Sequence, residues 1–183
     1  MTKLTDDMIH KALVMKGAPA AEALSEKLCK RTEILKEKGV IPALTILRVG
    51  ESQSDLAYER GAMKRAEKIG VCVKRIVLPE DADEQDILKV ISDINEDKSV
   101  HGCLMFRPLK SRETEKKAAA LLFSSKDADC MTVSSQAAVY TGDSGRGFAP
   151  CTAEAVIELL KYYHIAVGGK HAVIIGRSQV IGK

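Results

Sequence analysis

The stretch Ile41-Pro42-Ala43-Leu44-Thr45-Ile46-Leu47-Arg48-Val49 decides the fold. It is short, rich in branched residues and closed off by Gly39 and Gly50, the pattern of a strand buried on both faces. Upstream, Leu24, Leu28 and Leu35, with Ala20 and Ile34 beside them, keep helical spacing from Ala18 to Lys38, and Gly39 stands where that helix should stop. Downstream the alternation repeats. A helix is predicted from about Ser54 to Lys68, ending at Gly70, and a strand from Val71 to Leu78. A second helix runs from about Asp83 to Asn95, after the turn Pro79-Glu80-Asp81, and a third strand from Val100 to Met105. Strands alternating with helices require crossover connections, because parallel neighbours cannot be joined by hairpins. The prediction is therefore an α/β fold, an open parallel sheet with helices on its faces.

Residues 111 to 123 read as another helix and 124 to 150 as a long, mostly polar loop containing Gly142, Gly145 and Gly147. Thr152 is placed to cap a further helix through about Tyr163. Gly168-Gly169 then leads into a strand, His171 to Ile175, that ends at Gly176. The final segment, Gly176-Arg177-Ser178 to Gly182-Lys183, is a glycine-bounded turn after a strand, which brings backbone amides toward a phosphate. Its spacing is G-x5-G rather than G-x-G-x-x-G, so the turn alone is a weak signal.

Composition narrows the function classes. The 28 basic and 25 acidic residues are interspersed and aromatic content is 4% with no Trp, so neither a phosphate-tracking surface nor a base-stacking platform is indicated, and no nucleic-acid partner is expected. No apolar run approaches the roughly 18 residues of a membrane helix, and the N-terminus, Met1-Thr2-Lys3-Leu4, has no signal-peptide pattern. A cytoplasmic protein with no membrane partner is expected. Cys29, Cys72, Cys103, Cys130 and Cys151 are far apart with no C-x-x-C pair, and read as reduced thiols. His10, His101, His164 and His171 form no ligand spacing, and no metal is expected.

The order of six motifs carries more than any one of them. They are Leu47-Arg48-Val49-Gly50, Tyr58 on the next helix, Val100-His101-Gly102-Cys103-Leu104-Met105 before Pro108-Leu109, Lys126-Asp127-Ala128-Asp129, Pro150-Cys151-Thr152, and Gly176-Arg177-Ser178 to Gly182-Lys183. In this order and spacing, over roughly residues 11 to 183, the chain resembles the methylenetetrahydrofolate dehydrogenase/cyclohydrolase family. The resemblance implies a folate-binding catalytic α/β domain over residues 1 to 150. Residues 151 to 183 then form a linker helix and the first strand and turn of a Rossmann-type NAD(P)-binding domain. It implies hydride transfer from a tetrahydrofolate derivative, 5,10-methylene-tetrahydrofolate, to NADP, with NAD as the alternative, in a homodimer.

Carried over position by position, the resemblance gives Tyr58 the task of stacking on and positioning the folate, and Asp129 that of holding the pterin. Phe106 and Pro108 fall on the substrate side, and Gly176, Arg177, Ser178 and Gly182 on the cofactor side, where a guanidinium suits a 2′-phosphate. Read on residue type alone, Tyr58 fits a half-buried core ring, Asp129 a loop residue capping its own backbone, and Arg177 a surface residue in a turn.

The departures are as informative. The family's catalytic Lys lies one helical turn after the Tyr, and here that position is Ala62; Lys64 falls well round the helix. The family's Gln, which precedes a Leu-Pro-Leu-Pro run, is replaced by Phe106 in Phe106-Arg107-Pro108-Leu109-Lys110. Losing both together leaves no stranded polar group. Asp55 stands where the family usually has Ser, Cys130 where it has Gly, and Ala153 and Ala155 where it has Pro and Gly. Ring opening by the cyclohydrolase step is the activity these changes put most in question, and hydride transfer, which needs mainly positioning, is less affected. A non-catalytic relative binding a folate-like molecule, or a free-standing α/β dimerisation module, are the competing expectations.

Overall fold

The computed structural model describes residues 13–143 and 145–176. Helix α1 (Gly17–Glu37) is followed by strand β1 (Ala43–Val49), helix α2 (Gln53–Lys68), β2 (Cys72–Leu78), α3 (Glu84–Glu96), β3 (Gly102–Met105) and α4 (Arg112–Leu121). A 3-10 turn, Ser124–Lys126, then precedes α5 (Val133–Thr141) and α6 (Cys151–Tyr162). No helix among the described residues is long and apolar enough to cross a membrane.

The three strands form one parallel sheet in the order β2-β1-β3, with Leu47 of β1 opposite Ile76 on one side and Met105 on the other. The predicted α/β fold with its parallel sheet is therefore present, and β1 is central for the reason its sequence suggested: Ile46 and Leu47 are wholly buried, one on each face. Leu47, Cys103 and Met105 pack with Ile87, Ile91 and Ile94 of α3 and Ala118 of α4 into the main core. Residues of β1 one step out of phase face the other way, toward α2, because successive side chains alternate across a strand.

That second face holds a charge. Arg48 sits inside β1, donating from Nε to Glu59 Oε2 of α2 at 2.9 Å and from its other arm to the Gly50 carbonyl. Arg75 of β2 reaches the second oxygen of Glu59 at 3.2 Å. Burial pushes the Glu59 carboxyl up, but the hydrogen bonds from Arg48 and Arg75 outweigh it and hold the group below its ordinary 4.5.

Three expectations are corrected. The loop expected over 124 to 150 contains α5, whose start is capped by Thr132 Oγ1 accepting from the Ser135 amide at 3.1 Å and whose end is Gly142 in the left-handed region. Helix α6 is not capped by Thr152: it begins at Cys151 after Pro150, with no cap from its own N-cap side chain. Residues 171 to 176 are not a strand. Val173 and Ile175 are largely exposed, because an apolar strand forms only where neighbours take up its backbone groups, and no strand among the described residues lies beside them.

Candidate functional site

The sheet order places the chain's reversal point between β1 and β3. The connection from β1 leads to one side of the sheet and β3 lies on the other, so a crevice opens beyond the C-terminal ends of these two strands. Gly50 ends β1 with φ +75°, donates to the Leu78 carbonyl at 2.9 Å, and brings its Cα so near Glu80 that an added Cβ would meet Cγ at 3.3 Å. Phe106 ends β3, its amide bonded to the Leu47 carbonyl at 2.9 Å. The Arg107–Pro108 peptide that follows is cis.

Two adjoining cavities occupy the crevice, of about 350 Å3 and about 260 Å3, with Asp55 and Phe106 on the walls of both. Helix α2 supplies Asp55 and Tyr58, three positions apart and so on one face; Ser52 caps its start by accepting from the Asp55 amide at 3.1 Å. The smaller cavity lies between Tyr58, Phe106, Arg107 and Asp129, and the larger takes in Gly50, Glu80, Pro108 and Lys110.

Tyr58 is not a core residue. Its side is 60% exposed, whereas Phe106 beneath it is 9% exposed, and the two rings meet edge to face with centroids 5.3 Å apart. Such a pair contributes about 0.5–1.5 kcal/mol beyond its buried area and fixes the upper ring's tilt. Partial burial, followed by the charge of Asp129, raises the Tyr58 hydroxyl above its ordinary 10.0, so the phenol stays protonated and able to donate.

Asp129 is held by its neighbours in sequence. Asp127 is fully buried and accepts from the amides of Met131 at 2.9 Å and Thr132 at 2.8 Å, folding the segment back on itself. Lys126 donates to the carbonyls of Ile94, Asn95 and Asp97 at the end of α3. Asp127 also pairs alongside Cys103, through the Ala128 amide on the Cys103 carbonyl at 3.1 Å. Lys126 and Asp127 are thus the scaffold of their motif. Asp129, one third exposed, points into the cleft, accepting from Arg107 Nη2 at 3.4 Å and from the Cys151 amide at 3.4 Å. It therefore meets the start of α6 rather than capping its own loop.

Around it, Cys130 adopts φ +56° while buried, a left-handed conformation that glycine takes freely and a side chain does not, and Asp129 is the residue this turn presents. Burial and then the Asp129 charge push the Cys151 thiol up to about 11, and burial pushes Cys103 up to about 12, so both remain thiols at neutral pH. None of the five cysteines is in a disulfide.

Ala62 lies on α2 one turn beyond Tyr58, partly buried, and is not on the cavity wall; Lys64 faces a groove with Arg60 and Val73 at the far side of the helix. No ammonium among the described residues lines the Tyr58–Asp129 cavity. Among the described residues on its walls the one cation is Arg107, which motif reading passed over; the signal was a charged residue in an otherwise apolar run between Phe106 and Pro108. Of the cofactor-side residues, Gly176 is exposed, and Arg177, Ser178 and Gly182 lie outside the described residues.

Comparison with known proteins gives this geometry a family. Residues 15–129 match the family described as tetrahydrofolate dehydrogenase/cyclohydrolase, catalytic domain, and residues 150–183 match its NAD(P)-binding domain. The chain is 45% identical over 170 residues to the bifunctional protein FolD of Alkaliphilus oremlandii, covering 93% of this chain and 59% of that one. It is 40% identical over 176 residues to FolD of Clostridioides difficile, covering 96% and 61%. Among solved structures, the FolD methylenetetrahydrofolate dehydrogenase/cyclohydrolase of Campylobacter jejuni superposes with TM-score 0.87 at 31% identity, over 93% of this chain and 60% of that one. The Trypanosoma brucei enzyme, solved with NADP and an inhibitor, superposes with TM-score 0.85 at 26% identity, over 93% and 58%. The chain thus spans about three fifths of the length of the curated relatives it matches. With both parts of the family matched in order, and with a cleft at the sheet's reversal point, the chain belongs to the tetrahydrofolate dehydrogenase/cyclohydrolase family.

Proposed function

We propose that this protein is a methylenetetrahydrofolate dehydrogenase that transfers hydride from 5,10-methylene-tetrahydrofolate to NADP, and that its cyclohydrolase activity is weak or absent. The observation that carries the reading is one cavity walled by Tyr58, Phe106 and Asp129 while the position one turn beyond Tyr58 is Ala62. A carboxylate accepts paired N–H bonds from an aminopyrimidine ring, which suits Asp129 to hold a pterin, and the tilted Tyr58 ring offers a face above it. Phe106 and Pro108 supply the apolar floor of the crevice. Holding the donor carbon at a fixed place and keeping water away is most of what hydride transfer asks of a protein.

Opening the product's ring asks for more: water must be activated by a group that carries a proton. With Ala62 and Phe106 in place, no ammonium or side-chain amide among the described residues lines the Tyr58 cavity to do so. On the cofactor side, Gly176, Arg177, Ser178 and Gly182 make a donor set of backbone amides, guanidinium and hydroxyl whose chemistry fits an adenosine 2′-phosphate, hence NADP over NAD. The bound dinucleotide supplies the hydride acceptor. Residues 1 to 150 form the catalytic unit and 151 to 183 the entry to the dinucleotide unit, in a cytoplasmic homodimer.

The test is nicotinamide absorbance with 5,10-methylene-tetrahydrofolate and each of NADP and NAD on the full-length protein, beside a methenyl-hydrolysis assay. Turnover with NADP and hydrolysis at the uncatalysed rate is expected. No turnover with either cofactor, while folate still binds, overturns the dehydrogenase and leaves a folate-binding relative.

A further inference from the structure

We propose that Arg107 reads the 4-oxo group of the pterin, so that Arg107 and Asp129 together recognise a 2-amino-4-oxopyrimidine edge and reject its 4-amino counterpart. The inference rests on the folate reading of this cleft and adds a specificity-determining residue to it.

Recognition of the edge is a matching of donors and acceptors. A carboxylate has about four lone-pair sites, two on each oxygen. In Asp129, Oδ2 accepts from Arg107 Nη2 and Oδ1 from the Cys151 amide, each at 3.4 Å, which leaves one site free on each oxygen. Two free acceptors side by side match the two donors of the pyrimidine edge, the 2-amino group and N3–H. The next atom along that edge is O4, an acceptor. Because N3–H would take the oxygen nearer Arg107, O4 falls against the guanidinium, which has several N–H donors in a fixed fork and one used on Asp129. Acceptor, acceptor, donor on the protein thus faces donor, donor, acceptor on the ligand. In the 4-amino compound N3 loses its proton and position 4 becomes a donor, so N–H faces N–H.

The position of Arg107 supports a reading role. Its side chain is 27% exposed and lies on the wall of the Tyr58 cavity, so it is open to a ligand, and its charge is permanent and already balanced by Asp129. A site that pairs a ligand's polar atom discriminates strongly against an analogue that leaves the pair unmade.

The test measures binding of folic acid and of its 4-amino counterpart, which differ in the pyrimidine edge alone, to full-length wild type, Arg107→Leu and Arg107→Lys. Wild type should prefer folic acid. Arg107→Leu should weaken folic acid about tenfold and leave the 4-amino compound unchanged or tighter, collapsing the preference, while Arg107→Lys, which keeps a donor, should restore part of it. Equal weakening of both compounds would overturn the proposal in favour of a structural role. Folic acid binding as well or better in Arg107→Leu would overturn it in favour of a latch across Asp129. Wild type binding neither compound overturns the folate reading itself, and this proposal with it.

Discussion

Arg48 Nε donates to Glu59 Oε2 at 2.9 Å, with both side chains only 4% exposed, and the same guanidinium holds the carbonyl of Gly50 at the lip of the cleft. Replacing Glu59 with Gln leaves a buried guanidinium without its counter-charge, and a loss of about 3 kcal/mol or more in unfolding free energy is expected by urea titration. Because the cost lies in the stranded partner, Arg48→Met with Glu59→Leu should lose less than the sum of the two single changes. Additive losses would mean that the pair does not act as a unit.

The same carboxyl gives stability a pH dependence of known sign. Its folded-state value is depressed below 4.5, so its contribution is complete above that pH and is lost as pH falls through the lower folded value. Other carboxylates, such as the half-buried Glu84, are also depressed, so the comparison must be with the Glu59→Gln variant rather than with pH 7 alone. The stability gap between wild type and variant should be constant from pH 7 to about 5 and shrink below it.

Asp127 and Asp129 are two residues apart and should fail in opposite ways. Asp127 is buried and accepts from three amides of its own loop, those of Asp129, Met131 and Thr132, so Asp127→Asn should cost about 2 kcal/mol of stability through weakened charge-assisted bonds. Asp129 is one third exposed, with two long hydrogen bonds, so Asp129→Asn should leave the unfolding midpoint nearly unchanged and raise KM for methylene-tetrahydrofolate about tenfold or more. Thermal melts and initial rates on both variants separate the roles. A matched loss of stability in both would remove Asp129 from the ligand's contacts.

This contrast also marks what the sequence could reveal. The strand–helix alternation was legible because Ile46 and Leu47 sit in a branched run with glycine stops, and Asp129 because its motif spacing matched a family. The scaffold role of Asp127 was not, since both acids look alike until one is seen to be buried. Helix α5 was missed because Val133–Thr141 carries hydroxyl residues and little amphipathic contrast; Thr132 and Gly142, its caps, were the signals available. Arg107 meets Asp129 only because the segment at Asp127 lies alongside Cys103, a pairing across 24 positions that no local pattern encodes. Cys130 at positive φ explains why glycine is at home there, but the thiol's preference for this strained site has no account in the structure.

Ala62 and Phe106 stand together where ring opening would need a proton carrier and its partner. If ring opening was lost with the ammonium, Ala62→Lys alone should regain little, because the new group would stand beside an apolar ring with nothing to orient it. Adding Phe106→Gln supplies an amide partner but removes the ring under Tyr58, a buried aromatic whose loss should cost about 3 kcal/mol, so the double variant should melt several degrees lower. Its methenyl-hydrolysis rate should nevertheless rise about 100-fold over wild type, the usual worth of a placed proton carrier, while hydride transfer falls modestly as Tyr58 loses its support. A folded double variant that binds folate and shows no gain would mean that the cleft has diverged beyond these two positions, with Asp55 the next wall residue to exchange.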